Sequence, residues 1–467
     1  MTEYMTEQNQ NALNEEYEAK MILKYAGKIK DSNLEIGNPY GGDSEVTNLR
    51  FLEKFDIQTL KLHIRNDMSV QLRSSLLKEL SIFNEREYGQ DKGRQKQRLN
   101  MQVDDLELEN LEVLKLENNK LEDYQLYNLA KFKKLHSLDV SENKIDLTHI
   151  HSVTSLTKLS MASCELKNID QITSLVNLKE FDLSGNIDLD VSPLYKLKSL
   201  TKLHMRQCEL KNIDQIVQLT NLDVLEVSHN QLKNINQIYL LVNLKELGIS
   251  QNSEIDITPL KNLVGLIKLN LSFCALTQLS ALKPLINLQD LDISYNPNII
   301  ITELQYLKKL THLNLEYCNL VSIYVLRPLV NLEELNISKN NIVYLDAHLN
   351  EMKKLQIFRV EKNLISDFKS IIKHPNYKNF DENCQKFLNK FNQTEPSKEE
   401  VRQAKQIIRI ERQNLQFKQI PHKMHQTALN NFKQEINTTM NNACQSQIQF
   451  TANVVRIFQF LNQVGFE

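Results

Sequence analysis

The sequence contains no tryptophan, and among its 467 residues only 10 are glycine and 9 are proline. This scarcity excludes a collagen-like chain and a chain built mainly of flexible linkers. The first twenty residues are acidic and polar, so we expect no secretory signal there. The most apolar late segment, residues 450–466, is interrupted by asparagine, glutamine and arginine and is too polar and too short to span a bilayer.

The formal net charge is only −2, from 56 Lys and Arg against 58 Asp and Glu. Charges of both signs are interspersed, which gives no reason to expect nucleic acid or an anionic membrane as a partner. We expect a cytoplasmic protein, with the nucleus as an alternative. Asn-x-Ser/Thr triplets would be glycosylation acceptors only in a secreted chain. They begin at Asn270, Asn336, Asn392 and Asn437.

Two copies of one segment lie 44 residues apart in the sequence. Residues 156–172 read LTKLSMASCELKNIDQI and residues 200–216 read LTKLHMRQCELKNIDQI, with fourteen of seventeen positions identical. A second pair, LVNLKEFDLSGN at 175–186 and LVNLKELGISQN at 241–252, lies 66 residues apart. Because both separations are multiples of 22, the sequence predicts a tandem repeat of 22 residues.

The repeating unit has the pattern L-x-x-L-x-L-x-x-N/C-x-L, and its positions are numbered from its first leucine. Twelve units begin at Leu111, Leu135, Leu156, Leu178, Leu200, Leu222, Leu244, Leu266, Leu288, Leu310, Leu332 and Leu355. Over residues 105–375 the pattern resembles the leucine-rich-repeat family. Short units with tails such as VSPLYKLKSL resemble two subclasses, the leucine-rich-repeat regulatory subunit of type 1 protein phosphatase and the bacterial internalins.

Alternating leucines in the x-L-x-L segment predict a short strand with one buried face. The return half spaces apolar residues three apart, as at Ile169, Ile172 and Leu175, which favours a 3₁₀ or irregular return over a long helix. One unit cannot bury its own leucines, but stacked units can. We therefore predict an α/β fold, a leucine-rich-repeat solenoid with a curved parallel β-sheet on its concave face, a 3₁₀ or irregular convex side and helical terminal segments.

The two ends of the chain are less regular than its middle. Degenerate repeats begin at Ile57 and Leu77, and Ser397 with Glu400 forms a capping box that predicts a helix start. Whether the tail packs on the solenoid or forms a coiled coil with a partner stays open. The predicted segments are an N-terminal helical cap at 1–46, degenerate repeats with a basic insert at 47–104, the solenoid at 105–375, a closing segment or linker at 376–395 and a helical C-terminal tail at 396–467.

Four cysteines occupy position 9 of the repeat, which is asparagine in the other eight units. Cys164 and Cys208 are two units apart, about 10 Å, which is too far for a disulfide or for shared zinc ligation. We therefore predict that these four thiols are buried and structural: Cys164, Cys208, Cys274 and Cys318. Cys384 and Cys444 lie outside the repeats and have no predicted role.

The sequence contains no Gly-rich phosphate loop, no H-E-x-x-H and no G-x-S-x-G. His149 and His151 alternate, but no third metal ligand lies near them in sequence. Asp139, Asp182 and Asp292 share position 5 in units at least two apart, which argues against a carboxylate pair. We expect no enzyme activity, no metal, no cofactor and no small-molecule substrate.

Positions 3, 5, 7 and 8 are predicted to face solvent on the concave side. Position 7 is mostly serine, which suits either the close approach of a partner or a turn preference of the repeat. At position 8, Phe273, Tyr295 and Tyr317 form an aromatic stripe about 10 Å long. Such a stripe is either an interface, where large aromatics are enriched, or a structural stack that covers the adjacent turns.

Between the two near-identical copies, the packing residues are the same but the solvent-facing residues of the concave side differ, as Ser160 and His204 do. We therefore predict a noncatalytic scaffold that binds a protein partner of unknown identity on the concave face. The resemblance implies two alternatives, a phosphatase regulatory subunit and a secreted or surface adhesin of internalin type. The candidate partner-binding residues are Phe273, Tyr295, Tyr317, Asp292, Asn314, Glu316, His204, Arg206, Glu226 and His229.

Overall fold

The computed structural model describes residues 101–342 and 347–365 without a gap. The other described residues are 20, 21, 24, 25, 28–36, 49, 52, 54–64, 70–84, 99, 345, 374–376 and 380. The predicted C-terminal tail, Cys384, Cys444 and most of the basic insert lie outside the described residues.

The chain divides into two compact units, residues 1–274 and 275–467. The described strands of the first unit are β1 Asn33–Ile36, β2 Thr59–Ile64, β3 Leu72–Ser74, β4 Glu79–Asn84, β5 Leu106–Leu108, β6 Val113–Lys115, β7 Ser137–Asp139, β8 Lys158–Ser160, β9 Glu180–Asp182, β10 Lys202–His204, β11 Val224–Glu226, β12 Glu246–Gly248 and β13 Lys268–Asn270. Those of the second unit are β14 Asp290–Asp292, β15 His312–Asn314, β16 Glu334–Asn336 and β17 Ile357–Arg359.

Within each unit the repeat strands pair in parallel and follow one another in chain order. In the first unit the order is β1-β2-β4-β6-β7-β8-β9-β10-β11-β12-β13, and β3 pairs with β5 in a separate two-stranded sheet. In the second unit β14, β15, β16 and β17 pair in sequence. The register advances by one repeat per strand, as Leu203 opposite Leu225 shows, so each leucine column stays in line.

Short 3₁₀ helices form the return of most repeats, as predicted. Because i→i+3 hydrogen bonds turn the chain tightly, a few residues are enough to bring it back to the next strand. In the first unit they are Val103–Asp105, Asp123–Leu126, Leu129–Lys131, Asp170–Ser174, Ser192–Lys196, Ile238–Leu240 and Thr258–Asn262. In the second unit they are Ser280–Leu282, Thr302–Tyr306, Tyr324–Leu326 and Ala347–Glu351.

The core of each coil is made by positions 1, 4 and 6 of the repeat. In the coil of β10, Leu200, Leu203 and Met205 are fully buried, whereas Lys202 between them is exposed. The side of the sheet opposite positions 4 and 6, which carries positions 3 and 5, is its outer face. Stacking closes the core between neighbouring coils, since a single coil leaves its leucines open on both sides.

The asparagine of position 9 joins each coil to the one before it. Asn186 Oδ1 accepts the N–H groups of Cys164 and Leu166 at 3.1 and 3.0 Å. Its Nδ2 donates to the carbonyls of Met161 and Leu183 at 2.9 and 2.8 Å. One buried amide therefore satisfies four backbone groups that the turn leaves unpaired.

Cysteine fills the same position but bonds less. The Sγ of Cys208 lies 3.4 Å from the carbonyl of Leu183 and 3.3 Å from that of Arg206, and the thiol offers no amide oxygen to the preceding coil. All four repeat cysteines are free and buried, as predicted. Burial raises the pKa of the Cys164 thiol to about 12 and the pKa values of Cys208 and Cys274 to about 11.

The start of the chain differs from the predicted helical cap. Met21 and Tyr25 are helical and buried, but residues 33–36 form β1, which pairs in parallel with β2. The helical periodicity around Tyr25 does not continue into this short N-L-E-I segment, whose buried and exposed residues alternate as in a strand. β2 and β4 lie at the two degenerate repeats and pair with each other.

Candidate partner-binding face

Most polar side chains at position 5 hold the turn that follows their own strand. Each accepts the backbone N–H two residues later, an arrangement that Asp and Asn favour because their short side chains reach it. The acceptor pairs are Asp139 with Ser141, Asp182 with Ser184, Glu226 with Ser228, Asn270 with Ser272, Asp292 with Ser294, Asn314 with Glu316 and Asn336 with Ser338. The polar residue of position 5 therefore stabilises the turn after the strand in each of these coils.

The serine column at position 7 is not solvent-facing, which corrects the prediction. Ser228 is 1% exposed and Ser294 3%, and of the seven serines only Ser184 is half-buried rather than buried. Their hydroxyls join adjacent coils: Ser228 Oγ accepts the N–H of Ser250, and Ser184 Oγ accepts that of Arg206, both at 3.1 Å. The serines of position 7 therefore have a structural role within the repeat, and six of the seven are buried away from solvent.

Position 8 has a left-handed backbone in all twelve repeats. Gly185, Asn118 and His229 are residue types enriched in this conformation, whereas the other nine are types that adopt it less often. Large aromatics here are backbone outliers that side-chain preference alone does not explain. The residues, with φ between +52° and +74°, are Asn118, Glu142, Ser163, Gly185, Gln207, His229, Gln251, Phe273, Tyr295, Tyr317, Lys339 and Lys362.

In the second unit, two tyrosines at position 8 form a stacked pair. The ring centroids of Tyr295 and Tyr317 are 5.4 Å apart with an interplanar angle of 23°. Tyr295 is half-buried, whereas Tyr317 is 47% exposed. Tyr295 therefore supports Tyr317, and the outward side of Tyr317 is open to solvent.

A polar network fixes Tyr295 from the next two coils. Its hydroxyl donates to Glu316 Oε1 at 2.8 Å and accepts from Lys339 Nζ at 3.0 Å. Lys339 Nζ also lies 2.6 Å from Glu316 Oε1, and Asn336 Nδ2 donates to Glu316 Oε2 at 3.2 Å. Burial raises the pKa of the Glu316 carboxyl, but the hydrogen bonds from Lys339, Tyr295 and Asn336 outweigh it and hold that pKa below its ordinary value.

The Glu316 carboxylate in turn raises the pKa of the Lys339 ammonium, so both groups stay charged at neutral pH.

Asp292 and Asn314 lie beside this network. Asn314 Nδ2 donates to Asp292 Oδ2 at 3.1 Å, and each side chain also holds the turn of its own coil. Asp292, Asn314 and Glu316 therefore lie with the two tyrosines, but their polar atoms are largely occupied within the protein.

In the first unit the remaining candidates lie on the coils of β10, β11 and β13. His204 and Glu226 are register partners in β10 and β11, and both are half-buried. Arg206 is exposed, His229 is half-buried on left-handed backbone, and Phe273 is 43% exposed. The structure thus groups the ten candidates into five residues in each unit.

The histidines of the return segment do not form a metal site. His151 Nδ1 lies 3.0 Å from the carbonyl oxygen of Leu147, whereas His149 contacts the Tyr127 ring edge to face at 5.8 Å. Among the described residues, no group of three His, Cys, Asp or Glu side chains could hold a metal ion. No helix within that part of the chain is long and apolar enough to cross a bilayer.

No protein-family model matches the sequence, and no curated protein matches it. Solved structures do match, and they share its parallel ladder of short strands. The chain has the leucine-rich-repeat fold. An internalin of Listeria monocytogenes is similar over 58% of this chain and 80% of its own length, with 24% identity and a TM-score of 0.53. A leucine-rich-repeat protein of Leptospira interrogans is similar over 78% of this chain and 98% of its own, with 23% identity and a TM-score of 0.57.

At these identities the leucine-rich-repeat neighbours establish the fold and nothing about ligands. The predicted fold class is confirmed. Lys339 is a residue of the candidate face that the sequence prediction missed. The only signal for it was its place at position 8, one coil after Tyr317.

Proposed function

We propose that this leucine-rich-repeat chain is a noncatalytic scaffold that binds a protein partner on the outer face of its sheet, with Tyr317 as an anchor. The observation that carries the proposal is the tyrosine pair of the second unit. Tyr317 stands on a left-handed backbone and is 47% exposed, while the polar network beneath it is satisfied internally. A rigid aromatic surface of this kind loses little conformational entropy on binding.

Site-specific cross-linking tests the proposal. A photoreactive amino acid is introduced at Tyr317 and, as a matched control, at Tyr239, which is 46% exposed in a return segment of the first unit. Partner proteins should cross-link at position 317 and not at 239. The same products should fall strongly when the unmodified chain, which lacks the photoreactive group, is added in excess. Equal cross-linking at both positions, or cross-linking confined to 239, would place recognition elsewhere.

Each unit contributes its own candidate residues, so they are tested separately. Tyr317→Ala should abolish co-purification of the proteins that cross-link at position 317, while the melting temperature stays close to that of the unmodified chain. Tyr295→Ala is a poorer probe because Tyr295 also bonds Glu316 and Lys339. The phosphatase-subunit and adhesin alternatives would be told apart by the identity of the cross-linked protein.

We also propose a cytoplasmic location, with the nucleus as the alternative. One of the glycosylation triplets supports it: Asn336 is 8% exposed and its Nδ2 donates to Glu316, which leaves no room for a glycan on the folded face. Expression through a secretory pathway tests this. A folded, secreted product glycosylated at Asn336 by mass spectrometry would contradict the proposal.

A further inference from the structure

One coil of the first unit lacks a side chain at position 5. This residue, Gly248 in β12, lies between Glu226 of β11 and Asn270 of β13 in the register. Its φ is not positive, so the backbone does not require glycine there. A Cβ built on Gly248 would overlap the Glu226 carboxylate. The carboxylate therefore lies over the Gly248 backbone, in the volume that a side chain fills in the neighbouring coils.

Glu226 is the one glutamate among the twelve residues of position 5. Its Oε1 accepts the Ser228 N–H at 3.0 Å, as aspartate does in other coils, but its additional methylene carries the carboxylate across toward β12. A carboxylate has about four acceptor sites, so most of its capacity is left for a further donor.

Glu226 also differs from two nearby glutamates, Glu180 and Glu246, in having no ion-pair partner in the described part of the chain. Glu180 pairs with Lys158 at 2.5 Å and Glu246 with Lys268 at 3.7 Å, both at position 3. Within residues 101–342, no lysine or arginine of the first unit forms an ion pair with Glu226. A half-buried carboxylate without a cation leaves a negative site on the outer face.

We propose that the Glu226 carboxylate, held over Gly248, receives one arginine side chain of the protein partner, an inference that rests on the proposed function. A guanidinium is planar and donates in a fork that matches a carboxylate, and the absence of a side chain at Gly248 is what lets the Glu226 carboxylate lie across β12. The groups that would repel a cation, His204 and Arg206, lie on the β10 side of Glu226. Toward β13, Lys268 is paired with Glu246 and Gly248 adds no side chain, so a positive charge would reach the half-buried Glu226 carboxylate from its solvent-exposed side.

Selection of a random 12-residue peptide library, displayed on phage, against the purified full chain tests the proposal. Enriched peptides should share an arginine at one fixed place, and their binding should weaken as salt rises. Glu226→Gln keeps the size of the side chain and an acceptor for Ser228, and it should weaken binding at least about tenfold. Gly248→Ala should weaken binding to a similar extent, because the new methyl group occupies the space over β12 and displaces the Glu226 carboxylate.

Glu246→Gln is the matched control, since Glu246 is the register neighbour of Val224 and is already paired with Lys268. It should leave peptide binding unchanged, and all three variants should melt within a few degrees of the unmodified chain. Any of three results would contradict the proposed arginine site: peptides without a fixed arginine, no enriched peptide, or full binding by both E226Q and G248A. Cross-linking at Tyr317 does not depend on this site and would still support the proposed function in that case.

Discussion

Lys339 Nζ lies 2.6 Å from Glu316 Oε1, and the same ammonium donates to the hydroxyl of Tyr295 at 3.0 Å. Three consecutive coils thus supply one residue each to a closed network on the outer face. Its two opposite charges are paired, and the Tyr295 hydroxyl both donates and accepts within it. What remains for a partner is the aromatic ring of Tyr317, which the network supports through Tyr295.

The network predicts a pH-dependent contribution to stability. The folded pKa of Glu316 lies below its ordinary value of 4.5, so its stabilising effect is present above pH 4.5 and is lost as the pH falls through the folded pKa. Glu316→Gln should lower the free energy of unfolding by about 1 kcal/mol at pH 7. Urea unfolding from pH 7 to 3 measures the difference between the two chains. That difference should shrink below pH 4.5, and a constant difference would show that the charge of Glu316 does not stabilise the fold.

The asparagine of position 9 should matter more to stability than the cysteine. Asn186→Ala removes four buried hydrogen bonds and should cost about 2–4 kcal/mol of unfolding free energy. Cys208→Ala removes only weak thiol contacts and should cost about 1 kcal/mol. Asn177→Ala is a control on the exposed side, where the amide makes one bond to the carbonyl of Thr154. Equal losses of unfolding free energy in the Asn186→Ala and Cys208→Ala variants would mean that the asparagine hydrogen bonds do not stabilise the turns.

Repetition explains why so much of the fold could be predicted from the sequence. A leucine column repeats every 22 residues and has one stacking solution, so the strands, the register and the 3₁₀ returns followed from it. The position 9 residues followed as well, because their pattern is periodic. Residues 33–36 form a strand where a helical cap was predicted. The leucine column of the repeat does not extend to this segment, and its four alternating residues are too few to outweigh the helical pattern before them.

The candidate site was less predictable because it depends on side chains that are far apart in sequence. Lys339 and Tyr295 are 44 residues apart, and nothing local to either residue indicates their bond. The capping bonds of position 5 and the burial of position 7 depend on turn geometry, which the alternation of apolar residues does not reveal. Gly248 is similar, since its role depends on where the side chain of Glu226 lies.

The buried thiols should react slowly in the native protein. With pKa values raised by burial to about 11 for Cys208 and Cys274 and about 12 for Cys164, only about one thiol in a thousand or fewer is ionised at pH 8. Iodoacetamide labelling followed by peptide mass spectrometry should show these residues and the 2%-exposed Cys318 protected, and fully labelled in 8 M urea. Native labelling as fast as in urea would contradict their burial.

The left-handed backbone of position 8 predicts an unusual order of stability among variants of Tyr317. Its φ is +54°, which costs about 1 kcal/mol for any residue with a Cβ, so Tyr317→Gly should be about 1 kcal/mol more stable than Tyr317→Ala. At the exposed strand residue His312 the order should reverse, because glycine there only adds chain entropy. Chemical denaturation of the four variants measures both differences. A Gly variant less stable than the Ala variant at 317 would show that the backbone there is relaxed. The expected order would show that Tyr317, like the other residues of position 8, is held in a backbone conformation that a residue with a Cβ adopts only at a cost in stability.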